Sequence, residues 1–378
     1  MIYLDYNGTA PFSTKVVEYL TTEALNDWGN PSSEHDWGFN SKAKLSSMRE
    51  QIAQSLDCEP GQLSFTSGAT ESIGTVLGPE NLKKHRINTI ISTPTEHSAT
   101  LANLDFLAKL GFNVSFARVL HGGCADLEDL DVLAGANPGA LISILYANNE
   151  TGVLNDIDAI KQISSRHKAR LHVDAVQAWG KTPLSLEGLR ADFVSLSGHK
   201  IGSLKGIGVL YSRSQQPFVE PLIRGGGQER GARAGTSNLV AARSLAIAAR
   251  SLRIQDLSSV TAVRDQFEQQ VCKKIQGAYV HGIDSQRIPN TSSLCFPGVD
   301  AKRLMLALGR RGIMVSTGSA CTSGTEKPSY VISSFAGADA ARATLRISFP
   351  FDAAIRTIDA TKLACTFEDS YQSVLSDS

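Results

Sequence analysis

From Thr14 to about Leu252, short apolar runs alternate with segments of helical spacing. The runs are rich in β-branched residues and bounded by turn residues, which is typical of strands buried in a sheet. They lie at 63–66, 88–92, 113–117, 140–145, 170–173, 192–196 and 207–211. Between them, residues 157–166 carry apolar side chains at helical spacing. This alternation predicts an α/β fold with a mainly parallel seven-stranded sheet covered by helices.

A second block follows a helical run at 241–252. Its strand candidates lie at 293–296 and 345–349, with helical segments around them. We therefore expect a large domain over residues 14–254. Residues 1–13 and 255–378 are expected to form a smaller α/β domain.

The composition indicates a globular chain without net charge. Of the 378 residues, 42% are hydrophobic and 20% are charged, and 37 Lys and Arg balance 37 Asp and Glu. A neutral chain lacks the general attraction to nucleic acid and to anionic membranes, so we expect neither as a partner. The longest stretch without charge, 132–149, contains Pro138 and several asparagines and is not expected to span a bilayer.

The start of the chain and its cysteines favour a cytoplasmic location. Residues 1–5 contain no basic stretch and no long apolar run, so no signal peptide is expected. The six cysteines form no C-x-x-C pair, which argues against a structural zinc site. We expect free thiols in a reducing compartment and no metal site.

Polar groups follow five of the predicted strands at the points where the strands end. They lie at 66–70, 96–97, 148–149, 174–177 and 197–200. Open parallel sheets bind ligands at the carboxyl ends of their strands. The sequence therefore predicts one site at which these five segments converge.

Two segments have features of phosphate-binding loops. Residues 67–70 enter a helix, where exposed N–H groups and the helix dipole favour an anion, although a plain N-cap is the commoner interpretation. Residues 175–182 end in Gly-Lys-Thr like a P-loop, but Ala175 replaces the first glycine and Pro183 follows. Nucleotide hydrolysis therefore stays a weak alternative.

Asp174, Lys200 and His97 are candidates for catalysis, and each has an ordinary structural alternative. Asp174 is either a salt-bridged carboxylate or the partner of a pyridinium nitrogen. Lys200 is either a solvated lysine or, because it follows a buried strand, an amine that forms a Schiff base. His97 is either a surface histidine or an imidazole that stacks on a ring and moves protons.

Cys321 and Arg346 are the candidates in the second block. Cys321 lies in a run of small polar residues, 316–324, where a reactive thiolate and a structural cysteine are equally expected. Arg346 interrupts a strand pattern, as either a paired structural arginine or a clamp for a substrate carboxylate. The glycine-rich residues 225–236 suit a loop whose backbone closely approaches a ligand or another subunit.

In this order, the motifs resemble one family, the cysteine desulfurases of the class V branch of fold-type I pyridoxal-phosphate (PLP) enzymes. The most characteristic segments are Phe65-Thr-Ser-Gly-Ala-Thr-Glu-Ser72, His172-Val-Asp-Ala-Val-Gln177, Ser197-Gly-His-Lys200 and Gly318-Ser-Ala-Cys-Thr-Ser323. The likeness runs nearly end to end, and its other segments are 3–6, 29–33, 95–97, 148–153, 205–208, 225–236 and 328–331.

The resemblance implies a role for each residue near the cofactor ring. Lys200 would carry PLP as a Schiff base and move the Cα proton of the substrate. Asp174 would hold the pyridine nitrogen, and Gln177 would contact the ring hydroxyl. His97 would stack on the ring and act with Lys200 in catalysis.

The resemblance also implies residues for the cofactor phosphate and the substrate carboxylate. Those at the phosphate would be Ala69, Thr70, Ser197 and His199. Thr236 would reach the phosphate of the partner subunit in a homodimer. Asn149, which would also contact the cofactor, and Arg346 would hold the substrate carboxylate.

The implied activity removes sulfur from L-cysteine, giving L-alanine and a persulfide on Cys321. The sulfur would pass to a protein acceptor, either an iron–sulfur scaffold or a thiolation protein of thio-cofactor assembly. Cys321 could also ligate a transferred iron–sulfur cluster. Two alternatives stay open: a selenocysteine lyase, and a catalytically weak family member that acts as a sulfur-transfer partner.

The sequence departs from the family pattern at the rim of the expected site. Gly202-Ser-Leu204 stands where the family has a Tyr-Gly-Pro-like turn, and Ile73-Gly74 stands where an asparagine is usual. Phe349-Pro-Phe351 replaces a Gly-Arg pair, and the C-terminal tail is short for the family. We expect the first three changes, which lie at the rim, to leave the core roles intact, whereas the short tail bears on docking to an iron–sulfur scaffold.

Overall fold

The computed structural model describes residues 1–214, 219–252, 257–318 and 327–376. The strands are β1 (Ile2–Tyr3), β2 (Leu63–Thr66), β3 (Thr89–Ser92), β4 (Asn113–Phe116), β5 (Leu141–Leu145), β6 (Arg170–Asp174), β7 (Phe193–Ser197), β8 (Gly208–Ser212), β9 (Tyr279–Val280), β10 (Thr291–Cys295), β11 (Ile313–Met314) and β12 (Thr344–Ser348). The helices are α1 (Thr14–Thr22), α2 (Asp36–Leu56), α3 (Ala69–Val76), α4 (Pro79–Lys84), α5 (Ser98–Lys109), α6 (Leu127–Ala136), α7 (Ile157–Arg166), α8 (Leu186–Leu189), α9 (Leu239–Ser251), α10 (Leu257–Lys274), α11 (Ala301–Arg310), α12 (Tyr330–Arg342) and α13 (Ala360–Ser376).

Seven strands form the central sheet, in the order β2-β8-β7-β6-β5-β3-β4. The strands from β7 to β4 in this order run parallel, while β8 is antiparallel to both β7 and β2. The connection between Ser197 and Gly208 is too short for a helical crossover, which explains the antiparallel strand. The predicted mainly parallel seven-stranded sheet is confirmed, and each predicted strand matches within one residue at either end.

The central strands are buried on both faces, as their nearly continuous apolar sequences indicate. Every residue of β5, β7 and β8 is buried. Successive residues face opposite helical layers, so that Val194 packs in the cluster with α2, α7 and α9, whereas Phe193 packs in the cluster with α3 and α5. Burial of one such side chain contributes about 1.5–3 kcal/mol to the free energy of folding. The two helical layers together fix the position of the sheet edge at which the site lies.

The helix α7 illustrates how sequence sets the covering layers. The Asp156 side chain caps it by accepting the N–H of Ala159, and Ile157, Ile160 and Ile163 are buried at helical spacing on one face. The predicted helix at 157–166 is therefore confirmed. Along the described stretches of the chain, no helix is both long and apolar enough to cross a membrane.

The described residues after 257 build a second, smaller unit together with the start of the chain. The strand β10 pairs antiparallel with β12 and β9, and β1 pairs parallel with β11. Leu4 joins a separate hydrophobic cluster that contains Phe267, Phe296 and Phe367. The predicted strands at 293–296 and 345–349 occur as β10 and β12, shifted by one or two residues. The division into domains at 14–254 stays a prediction.

Candidate active site

A cavity of about 530 Å³ opens at the carboxyl end of the central sheet. Its walls come from the segments that follow β2, β3, β5, β6 and β7, from the N-terminal residues 7–9 and from β12. The predicted site residues that line it are Ala69, Thr70, His97, Asn149, Asp174, Gln177, Ser197, His199, Lys200 and Arg346. The structure thus brings the five strand ends to one place.

Lys200 reaches the cavity from a short 3-10 turn, Gly198–Lys200, directly after β7. Its Nζ donates hydrogen bonds to the backbone oxygens of Asn7 and Gly8, at 2.6 and 2.8 Å. The N-terminal segment therefore holds the amine in the cavity. An amine fixed in this way can act as a nucleophile toward a bound carbonyl compound.

Asp174 is the last residue of β6 and is buried. Its Oδ1 accepts the N–H of Val176 at 3.0 Å. Burial raises the pKa of this carboxyl to about 6, against the lowering effects of the Val176 N–H and of the Lys200 charge. Asp174 forms no ion pair with any residue that the structure describes, so its carboxylate retains capacity for a cationic N–H group of a ligand.

His97 caps the N-terminus of α5 with its ring. The Nδ1 atom accepts the N–H of Ala99 at 3.1 Å, so the proton of the neutral ring lies on Nε2. Burial, with a smaller effect of Lys200, lowers the pKa of His97 to about 4. The ring is therefore neutral at pH 7 and suited to stack on an aromatic ligand.

The turn after β2 lines one end of the cavity and has features suited to an anion. The helix α3 begins at Ala69 after Gly68, whose N-cap position has no side chain to accept the free N–H groups. Glu71 Oε2 accepts the N–H of Ser67 at 2.8 Å. The N–H groups in the first turn of a helix have no partner within the helix and can bind an anion. A Cβ at Gly208 would lie 2.6 Å from the Cα of Gly68, so only glycine lets β8 approach this turn so closely.

Ser197 and His199 line the same cavity from the end of β7. The Ser197 hydroxyl lies close to the turn, 3.8 Å from the point that a Cβ at Gly68 would occupy. The His199 Nδ1 lies 3.2 Å from the hydroxyl of Thr9. Burial, followed by the nearby Lys200, lowers the pKa of His199 to about 4, so this ring offers an N–H group without a charge.

Arg346 on β12 and Asn149 after β5 both supply polar groups to the cavity. Arg346 donates to Asp5 Oδ1 at 2.7 Å and to the backbone oxygen of Asn149 at 3.1 Å. The Nε of Arg346 and the Oδ1 of Asn149 are buried and have no hydrogen-bond partner among the described residues. An unpaired donor and an unpaired acceptor in one cavity suit a ligand that carries both kinds of group, as an amino acid does.

Two predicted site residues are not placed in this cavity. Thr236 is exposed and lines a separate small cavity, so its implied contact with a partner subunit stays a prediction. Cys321 lies outside the described residues. On either side of its segment, the Ser329 hydroxyl donates to Glu150 Oε2 at 2.5 Å, and a Cβ at Gly318 would fall 2.3 Å from the same oxygen. The chain flanking Cys321 is therefore anchored beside Asn149.

The structure does not support a P-loop at 175–182. The residues after Asp174 form turns, and the next helix, α8, begins only at Leu186. Lys181 is fully buried, and its Nζ donates to Asn7 Oδ1 and Gln177 Oε1. A buried ammonium cannot reach a nucleotide phosphate.

The N-terminal segment contributes site residues that the sequence did not single out. Asn7 and Gly8 hold Lys200, and Asp5 holds Arg346. Asn7 and Gly8 do so through backbone oxygens, which leave no signature in residue type. The nearest signal was the segment 3–6 among the family-like motifs.

Known proteins match this chain over nearly its whole length. The family described as Aminotransferase class-V matches residues 2–360. A cysteine desulfurase of Trichormus azollae is 38% identical over 335 residues, which is 88% of this chain and 83% of that protein. The solved structure of a NifS-like protein from Rickettsia africae ESF-5 has a TM-score of 0.86 at 30% identity and covers 98% of this chain and 99% of its own. The structure of SspA in complex with cysteine has a TM-score of 0.80 at 27% identity and covers 93% of this chain and 99% of its own.

Proposed function

Because the chain belongs to the cysteine desulfurases of the class-V aminotransferase family, we propose that it uses PLP to move sulfur from L-cysteine to Cys321 and releases L-alanine. Membership of the family confirms the resemblance drawn from the sequence motifs. The observation that carries the proposal is the meeting of Lys200, Asp174 and His97 in one cavity. An amine, a buried carboxylate and a neutral imidazole are the groups that a pyridoxal ring requires.

The residues of the cavity fit PLP on structural grounds. Asp174 is a buried carboxylate without an ion pair in the described part of the chain, and a protonated pyridine nitrogen would satisfy it. The N–H groups at the start of α3 are suited to a phosphate. When bound, PLP supplies an electron sink for negative charge that develops at the Cα of the substrate.

The residues around the ring would then have the roles that the resemblance implies. Lys200 would bind the cofactor covalently and carry the Cα proton. His97 would cover one face of the ring, and Gln177 would donate to the ring oxygen. The residues proposed to hold the phosphate are Ala69, Thr70, Ser197 and His199.

Arg346 and Asn149 are proposed to bind the carboxylate end of L-cysteine. One nitrogen of Arg346 is already used by Asp5, which fixes the guanidinium and leaves its unpaired Nε for substrate. The Asn149 amide can donate to the carboxylate through its Nδ2 group, while its unpaired Oδ1 is an acceptor that suits the amino group of the same ligand. That the structural relative SspA was solved with cysteine supports a free amino acid as the ligand.

Cys321 is proposed to accept the sulfur. Its thiolate would attack the sulfur of bound cysteine, so an S–S bond forms while the Cβ–S bond of the substrate breaks. The electron pair of the broken bond goes to Cβ, where a proton completes the methyl group of alanine. The sulfur is oxidised as Cβ is reduced, so the step needs no outside oxidant.

The quaternary structure, the acceptor and the location belong to the same proposal. We expect a homodimer in which Thr236 reaches the phosphate of the partner subunit. The persulfide would pass to an iron–sulfur scaffold or a thiolation protein. The cysteines that the structure describes are all free thiols, which supports a reducing cytoplasmic location.

Turnover of L-cysteine by the purified, PLP-loaded protein tests the proposal. The protein should be yellow and, with a reductant, release alanine and sulfide in equal amounts. Cys321→Ala should keep the colour and lose sulfide release. The control Cys124→Ala, whose cysteine lines a different cavity, should keep both. Full turnover by Cys321→Ala would overturn the assignment of the acceptor. Bound PLP without any turnover would favour the sulfur-transfer partner, and a strong preference for L-selenocysteine would favour the lyase.

A further inference from the structure

Lys181 is a buried lysine that the proposed reaction does not yet use. Its side chain is fully buried, and burial, followed by the charges of Lys200 and Arg346, holds its pKa well below the usual range. In the described ranges of the chain it forms no ion pair with a carboxylate. Removing an ammonium from water without a counter-ion costs several kcal/mol, so the contacts that it makes call for an explanation.

Those contacts are with two neutral oxygens. The Nζ of Lys181 donates to Asn7 Oδ1 at 2.9 Å and to Gln177 Oε1. Its third neighbour is the ring of Phe351, whose centroid lies 5.5 Å away. Both oxygens accept from the Lys181 amine, so the Gln177 amide has its oxygen toward Lys181.

The opposite side of the Gln177 amide is therefore its N–H side. The Nε2 atom donates to the backbone oxygen of Asn7 at 3.0 Å, the oxygen that Lys200 also uses at 2.6 Å. Gln177 lines the cavity together with Lys200 and Asp174. A side-chain amide that can rotate by about 180° presents either its oxygen or its N–H group to the cavity. Because Lys181 binds the Gln177 oxygen, the N–H group is the side left for the cavity.

We propose that Lys181 is a positioning residue that locks the Gln177 amide with its N–H group toward the ring oxygen of PLP. This inference rests on the proposed PLP-dependent function and deepens it. A donor at this place stabilises negative charge on the ring oxygen. With PLP bound, its linkage to Lys200 would lose a proton at a lower pH than it would without the donor.

The test is the pH at which the visible absorption of the PLP-loaded, full-length protein changes. Lys181→Met removes the amine that donates to Gln177 and keeps an unbranched side chain. The amide is then released, and the midpoint should rise by about one pH unit. The dissociation constant for PLP, from equilibrium dialysis, should rise several-fold. Lys109→Met removes an exposed lysine that pairs with Asp105 and should change neither quantity.

Two further variants separate positioning from a structural or purely electrostatic role. Gln177→Glu keeps an oxygen for Lys181 but lacks the N–H group, so it should raise the midpoint as Lys181→Met does. In a Gln177→Ala background, Lys181→Met should add no further shift, because the lysine acts through that amide. The melting temperature of the PLP-free proteins shows that each variant folds.

The outcomes distinguish this inference from the proposed function. If the wild type binds PLP and turns over cysteine, but Lys181→Met leaves the midpoint unchanged, the positioning role is wrong. It is also wrong if the shift persists in full in the Gln177→Ala background. If Lys181→Met does not fold, an unchanged midpoint in Gln177→Glu overturns it. If the wild type neither binds PLP nor releases alanine, the proposed function itself fails.

Discussion

Three titratable residues at and behind the cavity, Glu96, Asp174 and His97, are shifted toward their neutral forms by burial. The pKa of Glu96 rises to about 8 and that of Asp174 to about 6, while that of His97 falls to about 4. Burial, which keeps water away from these three groups, is the largest cause of each shift. In such surroundings a single charged partner, such as a protonated pyridine nitrogen, has a larger effect than it would in water.

Glu96 gives a test of this exclusion in the PLP-free protein. Its ordinary pKa of 4.5 rises to about 8 on folding, so the folded state binds the proton more tightly and stability falls as pH rises across that interval. Glu96→Gln mimics the neutral acid. As pH rises over this range, its free energy of unfolding should fall by about 1–3 kcal/mol less than that of the wild type. Urea unfolding at a series of pH values measures the difference.

The control for that series is Glu18→Gln, a change at an exposed position of α1. It should follow the wild-type pH dependence. Buried histidines such as His97, whose pKa is lowered on folding, make the protein more stable as pH rises at the acid end. The test therefore uses the difference in unfolding free energy between variants rather than either curve alone. Equal pH slopes for Glu96→Gln and the wild type would show that Glu96 is not held neutral.

Arg346 provides a test of substrate binding at the residue scale. Arg346→Lys keeps the charge but loses the planar fork and the unpaired Nε. The KM for L-cysteine should rise about tenfold, which corresponds to about 1.4 kcal/mol, with PLP content unchanged. Initial-rate alanine assays measure it, and Arg342→Lys, at an exposed position, should match the wild type. An unchanged KM would remove Arg346 from the substrate site.

At the scale of elements, the strand ends of the sheet carry the chemistry. Apolar runs bounded by turn residues predicted all seven strands, because strands buried on both faces need such runs. The direction of β8 is encoded only in the short connection from Ser197, a signal that the alternation of strands and helices does not contain. The paired strands β1 and β11 have two residues each, too few for a pattern of any period.

Gly208 tests the coupling between β8 and the turn at the start of α3. In Gly208→Ala the new Cβ would lie 2.6 Å from both the Gly68 Cα and the Leu196 oxygen, so the turn must shift. The dissociation constant for PLP should rise about tenfold or more, at a cost of about 1–3 kcal/mol in stability. Fluorescence titration of the PLP-free protein measures the affinity.

The matched control is Gly309→Ala on α11, where a Cβ would meet no atom within 4 Å. Alanine is the better helix former, so this variant should bind PLP normally and be equally or slightly more stable. If Gly208→Ala also bound PLP normally, the close approach of β8 would not matter for the phosphate end of the cavity.

The site residues found from sequence are those whose chemistry resides in a side chain at a strand end. Asp174 and Lys200 belong to this group. Asn7 acts largely through its backbone oxygen, which any residue possesses. The Gly-Lys-Thr sequence around Lys181 matches part of a P-loop motif. Its lysine is instead buried and bonded to Gln177 and Asn7, which the sequence does not reveal.

At the scale of the whole molecule, two units and the N-terminal segment build one cavity. The central sheet supplies the groups that we propose for the ring and the phosphate, and β12 of the smaller unit supplies Arg346. Asp5 and Asn7 connect the two, because Asp5 pairs with Arg346 while the Asn7 oxygen accepts from Lys200. The described residues on either side of the segment 319–326, Gly318 and Ser329, both lie close to Glu150, the residue after Asn149.

The mass of the protein after a single turnover tests the central claim most directly. PLP-loaded protein is mixed with one equivalent of L-cysteine without reductant, then digested and analysed by mass spectrometry while alanine is counted. The account expects one added sulfur atom on the peptide that contains Cys321 for each alanine released, and no added sulfur in Cys321→Ala. Alanine formed without sulfur on Cys321, or sulfur carried by another cysteine, would contradict it.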